Sequence, residues 1–282
     1  MKMKSGTLKS DKDGFEFYYF EATPTGPKRI IVLQHGFGEH SGRYQNLLEV
    51  CEKKQTAVYA LDARGHGKTP GKRGHVDDFN LYAEDLRTLV KHARKKNPKL
   101  PIFILGHSMG GLVSALAALN PDVAEEISGL LISSGAFRPV VDLTQTIKKN
   151  AATFLSKFLP ATTVDAGLDV RLISRDDNAV MMYKNDPLVH GKISFKMGAD
   201  FFAIGESLIE QANRFQMPLY LFHGDADGIA DFEGTKAFFE KAGSKDKTLK
   251  IYPGFYHETI NEPLQDRQHV LKELMDWIKK HS

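Results

Sequence analysis

Ile102-Phe103-Ile104-Leu105-Gly106-His107-Ser108-Met109-Gly110-Gly111 decides how this chain is read. An apolar run leads into Gly-x-Ser-x-Gly, and a helix-forming run, Leu112 to Leu119, follows. Strand, tight turn and helix form the context of a nucleophile elbow. Such a turn forces its central residue into a strained backbone. Strand and helix cross so closely there that glycine, which has no Cβ, is needed on either side. Ser108 is therefore predicted to hold its hydroxyl above the end of a sheet, beside backbone N–H groups of a helix N-terminus. The same residues in an irregular loop would be a chance Gly-rich turn, and the flanking runs separate the two cases.

Outward from the elbow, apolar runs recur at Phe15–Phe20, Arg29–Gln34, Thr56–Leu61, Gly129–Ser133, Pro218–Phe222 and Thr248–Tyr252. The first reads as an edge strand. Near-continuous apolar strands imply burial on both faces, as in a parallel sheet covered by helices. Helical patterns fill the intervals Tyr44–Lys54, Leu81–Lys96, Met109–Leu119, Asp231–Ala242 and Leu264–Lys280. Alternating strand and helix gives an α/β doubly wound layout. One interval breaks the alternation. Between Ser134 and about Asp200 no strand is expected, while Val140, Leu143, Ile147, Ala151, Phe154, Leu155 and Phe158 recur at helical spacing up to Pro160. The expected organisation is an α/β core of residues 1–136 and 201–282, with a helical cap of residues 137–200 inserted near the carboxyl ends of the strands, where open sheets bind ligands.

Bulk properties narrow the function. Across 282 residues the chain is 41% apolar and 26% charged, as in ordinary globular proteins. A net charge of +3 makes no electrostatic case for nucleic acid. Cys51 is the only cysteine, so an intramolecular disulfide is impossible and a cysteine-based metal site is not expected. The basic start, Met1 to Gly6, lacks an apolar signal region, and no stretch approaches the roughly 18 apolar residues of a spanning helix. A cytoplasmic location is expected. Peripheral membrane contact through the cap stays open, because Lys148, Lys149 and Lys157 flank its apolar stripe.

A serine hydroxyl needs a base, and the base needs an orienting group. In the α/β-hydrolase order, acid and then histidine follow the serine. His223-Gly224-Asp225-Ala226-Asp227-Gly228 and Gly254-Phe255-Tyr256-His257-Glu258 each follow a strand, as Ser108 does. Asp225 lies close to the strand end and is expected to fix the turn, while Asp231 suits a helix N-cap and Asp186 falls in the cap. Asp227 is the chosen acid and His257 the base. His35 and His107 are expected to buttress the site. Donors for a developing oxyanion should be the backbone N–H of Met109 and that of Phe37 in the loop after Leu33. The cap stripe, including Phe154, Leu155 and Phe158, is a candidate lining for an acyl tunnel.

His35-Gly36-Phe37-Gly38-Glu39-His40-Ser41-Gly42-Arg43-Tyr44 resembles the segment that opens the oxyanion loop of monoacylglycerol lipases. Asp62-Ala63-Arg64-Gly65-His66-Gly67, the elbow, Asn185-Asp186-Pro187-Leu188 and Gly254-x-x-His257 are similar to that family in the same order, from about Phe15 to Ile278. The resemblance implies an α/β-hydrolase fold with a mostly parallel eight-stranded sheet and a helical cap. It implies cleavage of monoacylglycerols to free fatty acid and glycerol through an acyl-enzyme, with no cofactor and no metal. It assigns Ser108, Asp227 and His257 as the triad and Phe37 and Met109 as oxyanion donors. Glu39 and Arg43 become a structural pair beneath the oxyanion loop, and His107 and Tyr183 polar contacts for a glycerol head group. Two departures stand out: Gly228 replaces a basic residue of the mammalian members, and the cysteines those members carry near the site are missing. A lysophospholipase or broad carboxylesterase would use the same triad. A catalytically inactive lipid-binding module is the alternative from another class.

Overall fold

A computed structural model describes residues 1–140 and 153–282. Its strands are β1 (Lys2–Lys9), β2 (Glu16–Thr23), β3 (Arg29–Gln34), β4 (Thr56–Leu61), β5 (Ile102–His107), β6 (Gly129–Ser133), β7 (Thr163–Asp165), β8 (Lys192–Ser194), β9 (Leu219–Gly224) and β10 (Lys247–Tyr252). Eight of them form one sheet in the order β1-β2-β4-β3-β5-β6-β9-β10. From β4 to β10 all pairings are parallel, and β1 and β2 join antiparallel at one edge.

The sheet follows from the alternation of apolar side chains. Ile30 and Val32 of β3 pack into one core with Leu86, Leu112, Leu208 and Phe238 of the helices Asn80–Lys96, Met109–Ala118, Phe195–Glu210 and Phe232–Lys241. Ile31 and Leu33 face the opposite core, closed by Leu47, Leu48, Leu271 and Leu274 of the helices Gln45–Lys53 and Leu264–Lys280. Helices on both faces explain why the inner strands carry no polar alternation. Strand order reverses at β3, whose neighbours are β4 and β5, so the loops leaving β3 and β5 diverge and open a crevice at their carboxyl ends.

Two expectations are corrected here. The edge strand is β1, and the Phe15–Phe20 run, apart from Phe15, lies in β2, one strand inward. β1 escaped the hydrophobic pattern because most of its side chains are exposed on both faces, and backbone pairing to β2 holds it in place. The interval after Ser134 also contains strands, since β7 and β8 form a small antiparallel pair. Of the expected stripe, Leu143, Ile147 and Ala151 lie outside the described residues. No helix is long and apolar enough to cross a membrane among the described residues.

β8 is fastened to the core. Gly74 donates its place to it: a Cβ there would lie 1.7 Å from the Lys192 carbonyl oxygen. The Ser194 N–H bonds the Gly74 carbonyl oxygen at 2.8 Å.

Candidate active site

Ser108 sits between β5 and the helix Met109–Ala118 with φ 54° and ψ −120°. A non-glycine residue in such a region costs about 1–3 kcal/mol and persists only when its surroundings impose it. Here the Ser108 N–H bonds the Ser133 carbonyl oxygen at 2.9 Å, and the Ser108 carbonyl oxygen accepts the N–H groups of Gly111 at 2.9 Å and Ala136 at 3.2 Å. Close crossing supplies the rest. A Cβ on Gly110 would lie 2.3 Å from the Gln34 carbonyl oxygen.

Asp227 and His257 come from the loops after β9 and β10. His257 Nδ1 lies 2.7 Å from Asp227 Oδ2, and the same oxygen lies 2.9 Å from His223 Nε2. Asp227 Oδ1 accepts the backbone N–H groups of Ile229 at 2.8 Å and Ala230 at 3.0 Å. An ionised carboxylate accepts only, so both imidazoles must donate and His257 keeps its Nδ1 proton. Burial would raise the Asp227 pKa, but the two imidazoles outweigh it and hold the carboxyl well below the usual carboxylate range. Burial would lower the His257 pKa, and the adjoining carboxylate reverses that and raises it. His223 had no role in the sequence reading. Its position four residues before Asp227, at the end of an apolar strand, was the available signal.

The other acids of the region are engaged elsewhere. Asp225 accepts the Gly254 N–H at 2.6 Å, Asp231 accepts the Glu233 N–H at 2.9 Å, and Asp186 lies 2.9 Å from His40 Nε2.

Ser108 and His257 line the same cavity of about 540 Å³. Among the described residues, the side-chain hydrogen bond of His257 is to Asp227, and Ser108 Oγ makes none. Catalytic hydrogen bonds are often long without substrate and tighten in the complex. The residues inserted between β6 and β9 line this cavity through Val164–Asp169, Leu172, Ile173, Tyr183, Ile193–Phe195, Gly198, Phe201 and Phe202. His107 and Tyr183 both reach it. Burial and the nearby His257 push the His107 pKa down to about 4, so its imidazole is neutral at neutral pH. Phe154, Leu155 and Phe158 are not brought to the cavity. Phe154 and Phe158 are 63% and 68% exposed and pack against each other at 5.5 Å.

The loop after β3 is held from below. Glu39 Oε1 accepts the Gly36 N–H at 2.7 Å and the Tyr44 hydroxyl at 2.7 Å, and Glu39 Oε2 accepts Arg43 Nη1 at 2.7 Å. Arg43 also forks onto Glu258 at 2.6 and 2.9 Å, which ties the residue after His257 to this loop. Burial opposes ionisation of Glu39, and Arg43 overcomes it. The pairing of Glu258 escaped the sequence reading because its partner lies far away in the chain. His35 is a buttress. Its Nε2 accepts the Ala63 N–H at 2.9 Å, which leaves Nδ1 to donate to the Gly36 carbonyl oxygen at 2.7 Å. The His190 N–H bonds the Gly38 carbonyl oxygen at 2.8 Å and fastens the loop from above. Among the described residues, the N–H groups of Phe37 and Met109 have no protein acceptor, which leaves both able to donate. Gly228 lines the cavity, and a Cβ there would lie 2.9 Å from Leu172 Cδ1, so a longer side chain would have to displace Leu172.

Residues 25–264 match the family Hydrolase_4, described as serine aminopeptidase, S33. The chain is 38% identical over 271 residues to a monoacylglycerol lipase of Mycolicibacterium smegmatis, covering 95% of this chain and 94% of that one. A crystal structure of Paleococcus ferrophilus monoacylglycerol lipase superposes with a TM-score of 0.81 at 32% identity, covering all of both chains (100% and 100%). A soluble variant of monoglyceride lipase from Saccharomyces cerevisiae, in complex with a substrate analog, gives a TM-score of 0.88 at 28% identity over 98% of this chain and 95% of that one.

Proposed function

This chain belongs to the Hydrolase_4 family of α/β-hydrolases and, within it, to the monoacylglycerol lipases; from that premise we propose that it cleaves the ester bond of monoacylglycerols, releasing free fatty acid and glycerol. Ser108 attacks the ester carbonyl while His257 takes its proton. The oxyanion is received by the N–H groups of Phe37 and Met109. His257 then protonates the departing glycerol oxygen, and later activates water to hydrolyse the acyl-enzyme. Asp227 holds the imidazole in the tautomer that leaves Nε2 free to accept, and stabilises its cation. Residues 137–200 serve as the cap, and His107 and Tyr183 contact the head group.

One observation carries this reading. A strained serine and a histidine, the latter hydrogen-bonded at 2.7 Å to a carboxylate, open onto one cavity. A fluorophosphonate should label Ser108 and no other serine, and Ser108→Ala should lose about 10⁶-fold in kcat. A panel of mono-, di- and triacylglycerols and lysophospholipids should show the fastest turnover on monoacylglycerols. Faster turnover of lysophospholipids would overturn the substrate assignment while leaving the nucleophile in place.

We also propose that a cytoplasmic enzyme meets its lipid at a membrane surface. Phe154, Phe158, Leu159, Met181 and Met182 are exposed on the segment that walls the cavity. Such side chains can seat in a headgroup layer. Co-sedimentation with anionic liposomes tests this, and recovery of all the protein in the supernatant would refute it.

A further inference from the structure

Leu172–Asp176 runs beside the loop that carries His257. The Leu172 carbonyl oxygen accepts the His257 N–H at 3.4 Å, and that of Ile173 accepts the Glu258 N–H at 2.6 Å. Ser174 Oγ donates to the Asn261 carbonyl oxygen at 2.9 Å. At the centre is Glu262, whose side chain is fully buried. Its Oε1 accepts the N–H of Tyr256, the residue before the base, at 2.6 Å. Its Oε2 accepts the Arg175 N–H at 3.0 Å and Arg175 Nε at 3.1 Å. Arg175 Nη2 reaches Asp266 at 2.6 Å, and its guanidinium stacks 4.5 Å from the Phe255 ring centroid.

A buried carboxylate is tolerated only where its charge is paired and its lone pairs are filled. Glu262 meets that condition by joining two segments of the chain. One oxygen holds the backbone just before His257, and the other takes two N–H groups from Arg175. The Asp227 contact fixes the imidazole through Nδ1, but the Cα from which the ring hangs is set by Tyr256 and Glu258. Arg175 stacks on the ring of Phe255 and neutralises the carboxylate that anchors Tyr256. We infer that Arg175 is a positioning residue for His257, acting through Glu262 and the Tyr256 amide. This rests on His257 being the base. It makes the geometry of the base depend on a segment that also walls the substrate cavity.

The test uses the full-length enzyme and two variants, Arg175→Gln and Arg175→Lys, assayed with a p-nitrophenyl ester and a monoacylglycerol. Rates are normalised to folded protein by circular dichroism. Misplacement of a reacting group by about 1 Å costs on the order of 10²-fold. Arg175→Gln should therefore lose about 10- to 100-fold in kcat with a much smaller change in KM. Its acid limb of kcat/KM should move down toward the ordinary histidine value of about 6.5, because a loosened imidazole is held less firmly by Asp227. Arg175→Lys should recover part of both. A lowered Tm with kcat and the acid limb at parental values would overturn the inference, since a role in folding alone moves neither. Should Arg175→Gln fail to fold, the same two readouts on Arg175→Lys decide. A parent enzyme whose Ser108 takes no fluorophosphonate would sink the triad and this inference together; a labelled, active parent beside an unaltered variant sinks the inference alone.

Discussion

Replacing Asp227 by asparagine exchanges one carboxylate oxygen for an NH₂ group, and every neighbour of that carboxylate is a donor. Placed at the Oδ1 position, the NH₂ would face the N–H groups of Ile229 and Ala230, which cannot change their protonation. Placed at the Oδ2 position, it would face the imidazoles of His257 and His223, which can. The amide therefore settles with its oxygen toward the backbone and its two N–H bonds toward the imidazoles. His257 must then accept at Nδ1 and carry its proton on Nε2, where it can no longer take one from Ser108. The corresponding tautomer error in a serine protease costs about 10⁴-fold in kcat. At about 1.36 kcal/mol per tenfold, that is about 5.5 kcal/mol of barrier. The same magnitude is expected here. Asp227→Ala should behave differently, because it strands two backbone donors in the interior at about 1–3 kcal/mol each and so lowers Tm more. Steady-state hydrolysis of a p-nitrophenyl ester, with melting curves on both variants, makes the comparison. An Asp227→Asn enzyme within tenfold of the parent would show that the proton-relay reasoning is mistaken.

Because Asp227 raises the His257 pKa, the base should be half-protonated above pH 6.5, so kcat/KM should fall on acidification with a midpoint above that value; a midpoint below 6 would contradict this. Phe37 contributes a main-chain donor, so Phe37→Ala should lose less than about tenfold in kcat, against about 10⁶-fold for Ser108→Ala, by the same esterase assay. Gly38 has φ 72°, and a Cβ there would lie 2.4 Å from the His190 carbonyl oxygen, so Gly38→Ala should lose at least about 1–2 kcal/mol in a denaturant titration; an unchanged midpoint would count against that contact. Cys51 is fully buried and burial pushes its thiol pKa up, so a maleimide should modify the protein only after unfolding, as mass spectrometry would show.

The inner sheet was legible because two cores act on each strand. Ile30 to Leu33 must all be apolar when alternate residues enter opposite cores, and that leaves an unbroken run in the sequence. β1 left no such trace because its register with β2 depends on backbone groups. β7 and β8, three residues each, are too short to establish a period. In the site, loop position separated the competing acids, and the structure gives Asp225, Asp227 and Asp231 different partners. His223, Glu258 and Glu262 were opaque for a different reason. Their significance lies in which distant group each one meets, and neither residue type nor local spacing records that. Phe154 and Phe158 mark the converse failure: a helical stripe states that one side is apolar but not what it faces.

The fit of β8 against Gly74 bears on how the enzyme could be re-engineered. With the Lys192 carbonyl oxygen 1.7 Å from where a Cβ would stand, the region bearing β8 cannot be exchanged as a free module. A chimera that imports residues 160–200 from a relative inherits a demand for glycine at Gly74, more than a hundred residues upstream of Lys192. Shuffling experiments should therefore recombine the two stretches jointly, and hybrids that separate them should be recovered mainly as insoluble protein.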